Sequence, residues 1–257
     1  MTVETAPEAK PLEGMRAALV VPSYGNTDSQ CAKDVRVSMM NAAVKGLEWV
    51  GDISPDRMGY AAARNTATQQ FIEAGPDFAD GIMWIDNDIR CSPASISRLI
   101  YQAKRLKADF ISGVYHHRGG KYKPVFYIFK EAKKGEPRGR FYSVEDYPED
   151  TLAPADACGF GFVWTSSKLI DAIARHPDFN ERGGWFPDNR DSGGFGEDLS
   201  FCYQAMRCGI QLYVDTGIQL GHMGDPEVIT REQHLKALAE KEKQGIPEVR
   251  GPKGWGL

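Results

Sequence analysis

Two aspartates separated by one residue, Asp86-Asn87-Asp88, follow directly on the apolar run Ile82-Met83-Trp84-Ile85. Carboxylates two apart point to opposite faces for as long as a strand continues. Where the strand ends the chain turns, and both can then reach one site. Carboxylate oxygens are what a hard divalent cation takes as ligands, and such a cation commonly bridges to substrate phosphates. A simple turn would use the same residues, so the apolar strand in front of them is what favours the site. An EF-hand is excluded, because Ile89-Arg90-Cys91 lacks that loop's acidic ligands and central glycine.

Three other groups could carry chemistry. In Gly193-Gly194-Phe195-Gly196-Glu197-Asp198-Leu199, glycines lead into a helical pattern whose first turn holds two acids. Acids favour helix N-termini on electrostatic grounds alone. The alternative is that one of them takes a proton from an acceptor hydroxyl. Gly221-His222-Met223-Gly224 follows a strand-like segment, and its glycines would let the histidine ring approach another group. An isolated histidine also serves structure. Arg64-Asn65 lies on an alanine-rich helix. It is either an exposed polar pair or, near the ligand edge of a sheet, a holder of diphosphate or of a base carbonyl.

The elements that must position these residues alternate. Ala17 to Val21 reads as a buried strand closed by Pro22-Ser23-Tyr24-Gly25-Asn26. Helical spacing follows from Ala32 to Lys45, then a strand from Leu47 to Ile53 and a helix from Met58 to Ala74, stopped by Gly75-Pro76. After the strand before Asp86, Ser92-Pro93 opens a helix through Leu106, with serine as cap and proline at the first helical position. Asp109 to Tyr115 is again strand-like. Such alternation implies a mostly parallel sheet covered by helices, with ligands beyond the carboxyl ends of its strands. Ser23 and Asp86 to Asp88 fall at such ends.

The second half is mixed. Pro124 to Phe129 and Phe141 to Val144 read as antiparallel strands, Cys158 to Trp164 as one apolar strand, and Gln211 to Asp215 as another. Helices are expected over Ser166 to Arg175 and Glu197 to Cys208, and a charged surface helix over Arg231 to Gln244. The expected organisation is a loose tail over residues 1–14, one α/β domain over 15–228, and a C-terminal helix and tail over 229–257.

Composition bounds the rest. The 257 residues are 42% hydrophobic and 26% charged, with a formal net charge of -4, which is ordinary for a globular chain and unlike a general nucleic-acid binder. No apolar run is long enough to cross a bilayer, and the polar start lacks the pattern of a signal peptide, so a cytoplasmic protein is expected (in a host's cytoplasm if the source is viral). Five cysteines, an odd number with no C-x-x-C pair, read as reduced thiols. Charge is uneven: from Arg118 to Arg140 there are eight basic residues against two glutamates.

Taken together, Val20-Val21-Pro22-Ser23-Tyr24, Ala63-Arg64-Asn65, Trp84-Ile85-Asp86-Asn87-Asp88, Gly196-Glu197-Asp198 and Gly221-His222 resemble GT-A glycosyltransferases, especially family 2-like members, in order and spacing over roughly Ala17 to Gly224. The resemblance implies a single GT-A domain: a mostly parallel central sheet flanked by helices, with a small antiparallel addition. It implies transfer of a sugar from a nucleotide-sugar donor to an acceptor hydroxyl. Pro22, Ser23 and Tyr24 would line the nucleotide pocket, with Arg64, Asn65 and Asn87 also on the donor side. Asp88 would be the direct metal ligand, Asp86 would lie nearer the ribose at the metal's edge, and His222 would complete the metal site. Asp198 would be the base and Glu197 its support. The metal would be Mn²⁺ or Mg²⁺, with Mn²⁺ favoured by a mixed carboxylate and imidazole set. Neither the Q-x-x-R-W element of processive synthases nor a membrane helix is found.

Short soluble members of this family occur in bacteriophages, and some glycosylate hydroxylated pyrimidines in DNA. This chain is similar in size and in its Phe201-Cys202-Tyr203 to Gly221-His222 ending. The interleaved aromatic and basic residues from Tyr115 to Tyr127 suit phosphates and unstacked bases. A DNA acceptor is one expectation; a saccharide or protein hydroxyl is the other, and a charged hairpin with its rings in the core is the bland reading of the segment. A nucleotidyltransferase making nucleotide sugars shares the sheet type, but no lysine-bearing glycine loop follows the first strand. A non-catalytic module would have no need of Asp88, Asp198 and His222 together.

Overall fold

The computed structural model describes residues 10–23, 28–119, 122–132, 139–224 and 228–244. Its first half runs β1 (Arg16–Val20), α1 (Ser29–Val44), β2 (Glu48–Asp52), α2 (Tyr60–Glu73), β3 (Gly81–Ile85), β4 (Ile89–Arg90), α3 (Ser95–Leu106) and β5 (Phe110–Val114). Then come β6 (Phe126–Lys130), β7 (Arg140–Ser143), β8 (Leu152–Ala155), β9 (Ala157–Cys158), β10 (Phe162–Ser166), α4 (Ser167–Ala174), α5 (Phe179–Arg182) and a 3-10 turn at Arg190–Ser192. The described chain ends with α6 (Glu197–Arg207), β11 (Leu212–Gln219), β12 (Gly221–Met223), β13 (Val228–Ile229) and α7 (Arg231–Lys243).

Seven strands form the central sheet in the order β2-β1-β3-β10-β5-β11-β8. The pairs β1–β2, β1–β3 and β5–β11 are parallel, whereas β10 runs antiparallel to both β3 and β5, and β8 antiparallel to β11. Two three-stranded antiparallel sheets are added, β13-β12-β4 and β7-β6-β9. The expected α/β architecture is therefore present. The pairings of β10 and β8 are non-local and leave no mark on periodicity. Pro154 sits on the edge strand β8, where its missing N–H costs no ladder bond.

The sheet is covered on both faces, which is why its central strands read as unbroken apolar runs. Successive side chains of β1 and β3 alternate between two cores: Ala18, Val20, Ile82 and Trp84 pack with α2, α4 and α6, while Ala17, Leu19, Met83 and Ile85 pack with α1 and α3. Trp84, Phe160, Phe186 and Phe201 form an edge-to-face and stacked cluster with centroids 4.6 to 5.8 Å apart.

Three expectations shift locally. The helix expected from Ser92 is described from Ser95; the Ser95 hydroxyl accepts the Ser92 N–H at 3.0 Å, a turn that holds the residues before the helix outside it. The single strand expected over Cys158 to Trp164 is two, broken at Gly159 to Gly161. The last helix is not simply a surface element, since His234 and Lys241 are buried. Lys241 reaches Glu145 Oε2 at 2.5 Å and His234 Nε2 meets the Glu145 carbonyl at 2.8 Å.

Candidate functional site

The site gathers where β1 and β3 end. Asp86 leaves β3 with its N–H donated to the Gly161 carbonyl at 2.9 Å, and the Ile89 N–H closes a tight turn on the Asp86 carbonyl at 3.1 Å. That turn brings Asp86, Asn87 and Asp88 round to one edge of the sheet. Asn87 Nδ2 donates to Ser23 Oγ at 3.3 Å, which ties the ends of β1 and β3 together. Ser23 also bridges to Asp56, while Pro22 beside it is buried. Tyr24, the third residue of the expected nucleotide pocket, lies outside the described residues.

Arg64 is buried to 3% exposure and joins two of the sequence motifs. One guanidinium nitrogen donates to Asp86 Oδ1 at 2.8 Å and the other to Glu197 Oε1 at 2.9 Å. Tyr60 and Phe160 flank it, with ring centroids 5.3 and 5.4 Å away. Burial opposes its charge, but Asp86, Glu197 and Asp198 outweigh that and hold the guanidinium above its ordinary pKa. Asn65 points elsewhere. Its amide donates to the Phe186 carbonyl and accepts the Phe186 N–H, both at 3.1 Å, so it clamps the loop before α6.

Asp198 opens α6 beside this network. Burial, and then the neighbouring Glu197 carboxylate, push its carboxyl up to about 6. Gly196 as the cap residue turns the chain into α6 so that Glu197 meets Arg64 while Asp198 Oδ1 accepts the Leu199 N–H at 2.7 Å. Arg190, on the glycine-rich loop ahead of the helix, approaches Glu197 Oε2 at 3.6 Å.

Asp88 and His222 meet on the other side of the turn. Strands β4 and β12 pair His222 with Ile89, the residue after Asp88. His222 Nδ1 lies 2.7 Å from the His116 carbonyl. A carbonyl only accepts, so the proton sits on Nδ1 and Nε2 presents a lone pair. Burial lowers the imidazole's pKa, which keeps it neutral near pH 7. Nε2 is 3.7 Å from Asp88 Oδ2, and Asp88 Oδ1 is buried with no hydrogen-bond partner. Two acceptors this close, neither able to donate, need a cation, which Arg118 supplies here; carboxylate plus imidazole is also a donor set that fits Mn²⁺. Among the described residues there is no group of three or more His, Cys, Asp or Glu that could hold a metal, so phosphate oxygens or water would have to fill the remaining positions. Asp86, also expected near the metal, has Oδ1 committed to Arg64.

A cleft of about 620 Å³ adjoins the turn, with Asn87 on its wall. Leu19 lines it from β1 and Val21 from just beyond that strand, Met39 from α1, and Trp49 and Asp52 from β2. This volume falls in the usual range for a small-molecule site. Sequence reasoning missed Trp49 and Asp52, although Asp52 closes β2 and the strand-end rule that singled out Ser23 applies to it as well. It also missed Arg118, counted only as part of a basic run. Arg118 pairs with Asp88 Oδ2 and its Nε donates to His222 Nε2 at 2.9 Å.

The described part of that segment turns its rings inward and keeps its basic side chains at or near the surface. Tyr115, His116 and Phe126 are buried, His117 bonds the Tyr127 hydroxyl at 2.9 Å, and Lys123 pairs with Glu145 at 2.5 Å. On β6 and β7, Lys130 lies 4.9 Å over the half-exposed Tyr142 ring and Arg140 is exposed. Lys121, Lys133, Lys134 and Arg138 lie outside the described residues. No described helix is long and apolar enough to cross a membrane.

No family model matches the sequence, and no curated protein does. Among solved structures the fold is similar to A197 from STIV, with a TM-score of 0.52 and 18% identity over 93% of this chain and 98% of that one. It is similar also to GalNAc-T7, solved with UDP, GalNAc and Mn²⁺, with a TM-score of 0.51 and 11% identity over 81% of this chain and 43% of that one. Likeness at these identities speaks to the fold, and there the expectation is borne out: the chain has the GT-A fold, with its central mostly parallel sheet flanked by helices.

Proposed function

We propose that the protein is a metal-dependent glycosyltransferase, moving a sugar from a nucleoside-diphosphate donor to an acceptor hydroxyl. The observation that carries this reading is the approach of Asp88 to the Nε2 of His222 at 3.7 Å, next in the chain to Asn87, which lines a nucleotide-sized cleft. The cleft suits the nucleoside, with Trp49 offering a ring face for the base and Asp52 a carboxylate for hydroxyl or imino groups. Asp88 and His222 would hold a divalent ion, whose chemistry is to stabilise charge on the departing diphosphate.

The protein's own residues do the rest. Arg64 locks Asp86 and Glu197 in place, so the turn after β3 and the start of α6 move as one unit. Asp198 takes the acceptor's proton as its oxygen forms the new glycosidic bond. A carboxyl raised to about 6 is ionised at neutral pH yet more basic than an ordinary aspartate, which suits a general base. The loop carrying Arg190 borders the same space and can exclude water.

The test is a panel of nucleotide sugars, UDP-linked sugars first because GalNAc-T7 was solved with UDP. Release of nucleoside diphosphate supports transfer, whereas pyrophosphate release from sugar phosphate and a nucleoside triphosphate would make the protein a nucleotidyltransferase. The basic, aromatic edge at Lys130, Arg140 and Tyr142 makes DNA the first acceptor to try. DNA containing 5-hydroxymethylcytosine should gain a hexose- or pentose-sized mass. No gain with a donor that the enzyme hydrolyses directs the search to saccharide and protein hydroxyls.

A further inference from the structure

Arg118 contacts both members of the Asp88–His222 pair, and the proposed reaction gives it no role. Its Nε donates to His222 Nε2 at 2.9 Å, and its terminal nitrogen pairs with Asp88 Oδ2. These are the lone pairs that the function proposed above assigns to a divalent ion. A nitrogen lone pair can accept from a guanidinium or bind a metal, but not both.

We propose that Arg118 is a tethered cation competing with the divalent ion for Asp88 and His222, and so sets the metal concentration at which the site loads. The backbone on its N-terminal side is fixed: His117 N–H donates to the Lys123 carbonyl at 2.9 Å, and the His117 ring bonds Tyr127. The Arg118 side chain itself is half exposed. Release therefore needs only side-chain rotation into solvent, while the His116 carbonyl stays in place to orient His222. Once released, the guanidinium remains close to Asp88, where a planar fork suits a diphosphate. Arg118 thus makes metal binding and donor binding mutually supportive, since a donor phosphate offers the displaced charge a second partner.

The inference rests on the metal reading of Asp88, and the experiment separates the two. Free Mn²⁺ is measured by electron paramagnetic resonance during titration of the wild type, Arg118→Gln, Arg118→Lys and Asp88→Asn, without donor, with far-ultraviolet circular dichroism confirming the fold. Arg118→Gln should bind Mn²⁺ about tenfold tighter, the scale of one charged hydrogen-bonded contact. Arg118→Lys, which keeps the charge and loses the fork, should fall between it and the wild type. Adding a nucleoside diphosphate should tighten Mn²⁺ binding in the wild type by a larger factor than in Arg118→Gln. If Arg118→Gln binds Mn²⁺ like the wild type, or more weakly, while Asp88→Asn loses binding, the competition is refuted and the metal site stands. If Asp88→Asn binds like the wild type, the metal reading itself fails.

Discussion

Arg64 carries more of the site than any other single residue. At 3% exposure it holds two carboxylates from separate elements, and neither has the other to lean on. Replacing it with methionine keeps the volume but leaves Asp86 without its cation and Glu197 with only Arg190, 3.6 Å from Oε2. Urea denaturation should show a loss of about 3–5 kcal/mol, the cost of breaking a buried ion pair from one side. Arg64→Lys, one point charge in place of a fork, should recover only part of it. Asp198 gives a prediction with a sign. Its carboxyl is raised from 3.8 to about 6, so kcat/KM should climb with pH through an acid limb near 6. Asp198→Asn should abolish that limb and slow turnover by about 10² or more, with donor affinity little changed. Stability moves the other way. A raised acid favours folding below its unfolded pKa and loses that contribution as pH rises through its folded pKa. Asp198→Asn should therefore raise the melting temperature at pH 8 relative to the wild type, and the gain should vanish towards pH 4. Unchanged turnover would leave Asp198 as a helix-terminus acid.

At the scale of elements, the break between β9 and β10 matters most. A Cβ on Gly159 would stand 2.0 Å from the Tyr115 hydroxyl, and one on Gly161 2.8 Å from the same ring. Tyr115 accepts the Gly161 N–H at 3.2 Å, and the Gly161 carbonyl receives Asp86, so the break positions the acidic turn. Gly159→Ala should cost about 1–3 kcal/mol as an overpacked site, read by thermal unfolding, and should lower activity by more than its stability loss explains. This break shows where a sequence stops being legible. Cys158 to Trp164 is apolar and short enough for one strand, and nothing local reveals that Tyr115, on another strand's end, needs the space of two glycines. The edge β1–β3 was legible for the opposite reason. Those strands are buried on both faces, so Val20 and Trp84 lie in uninterrupted apolar runs that end abruptly at polar residues. Asp88 and His222 could be singled out by such endings, but their meeting through β4 and β12 depends on a two- and a three-residue strand too short to leave a periodic signal. Asn65 was recognisable as polar and near the site, yet its bond to Phe186 is tertiary. Burial of Lys241 on Glu145 is likewise hidden, because a charged helix reads as solvated unless its partner is known.

At the scale of the whole molecule, the two cores fix a sheet whose strand ends meet at one edge, and the acids of the site come from separate stretches of chain brought there by it. The fold also matches A197 across nearly the whole of both chains, so little of either lies outside the shared architecture. With a net charge of -4, the negatively charged donor of the proposed reaction would depend on local cations, Arg118 and the proposed divalent ion. The direct measurement is nucleoside diphosphate release from a panel of nucleotide sugars, without acceptor, by the wild type and by Asp88→Ala and His222→Ala. With Mn²⁺ the wild type should consume at least one donor, while excess EDTA or either substitution should remove most of that activity. Full activity in both variants with EDTA harmless would contradict the account.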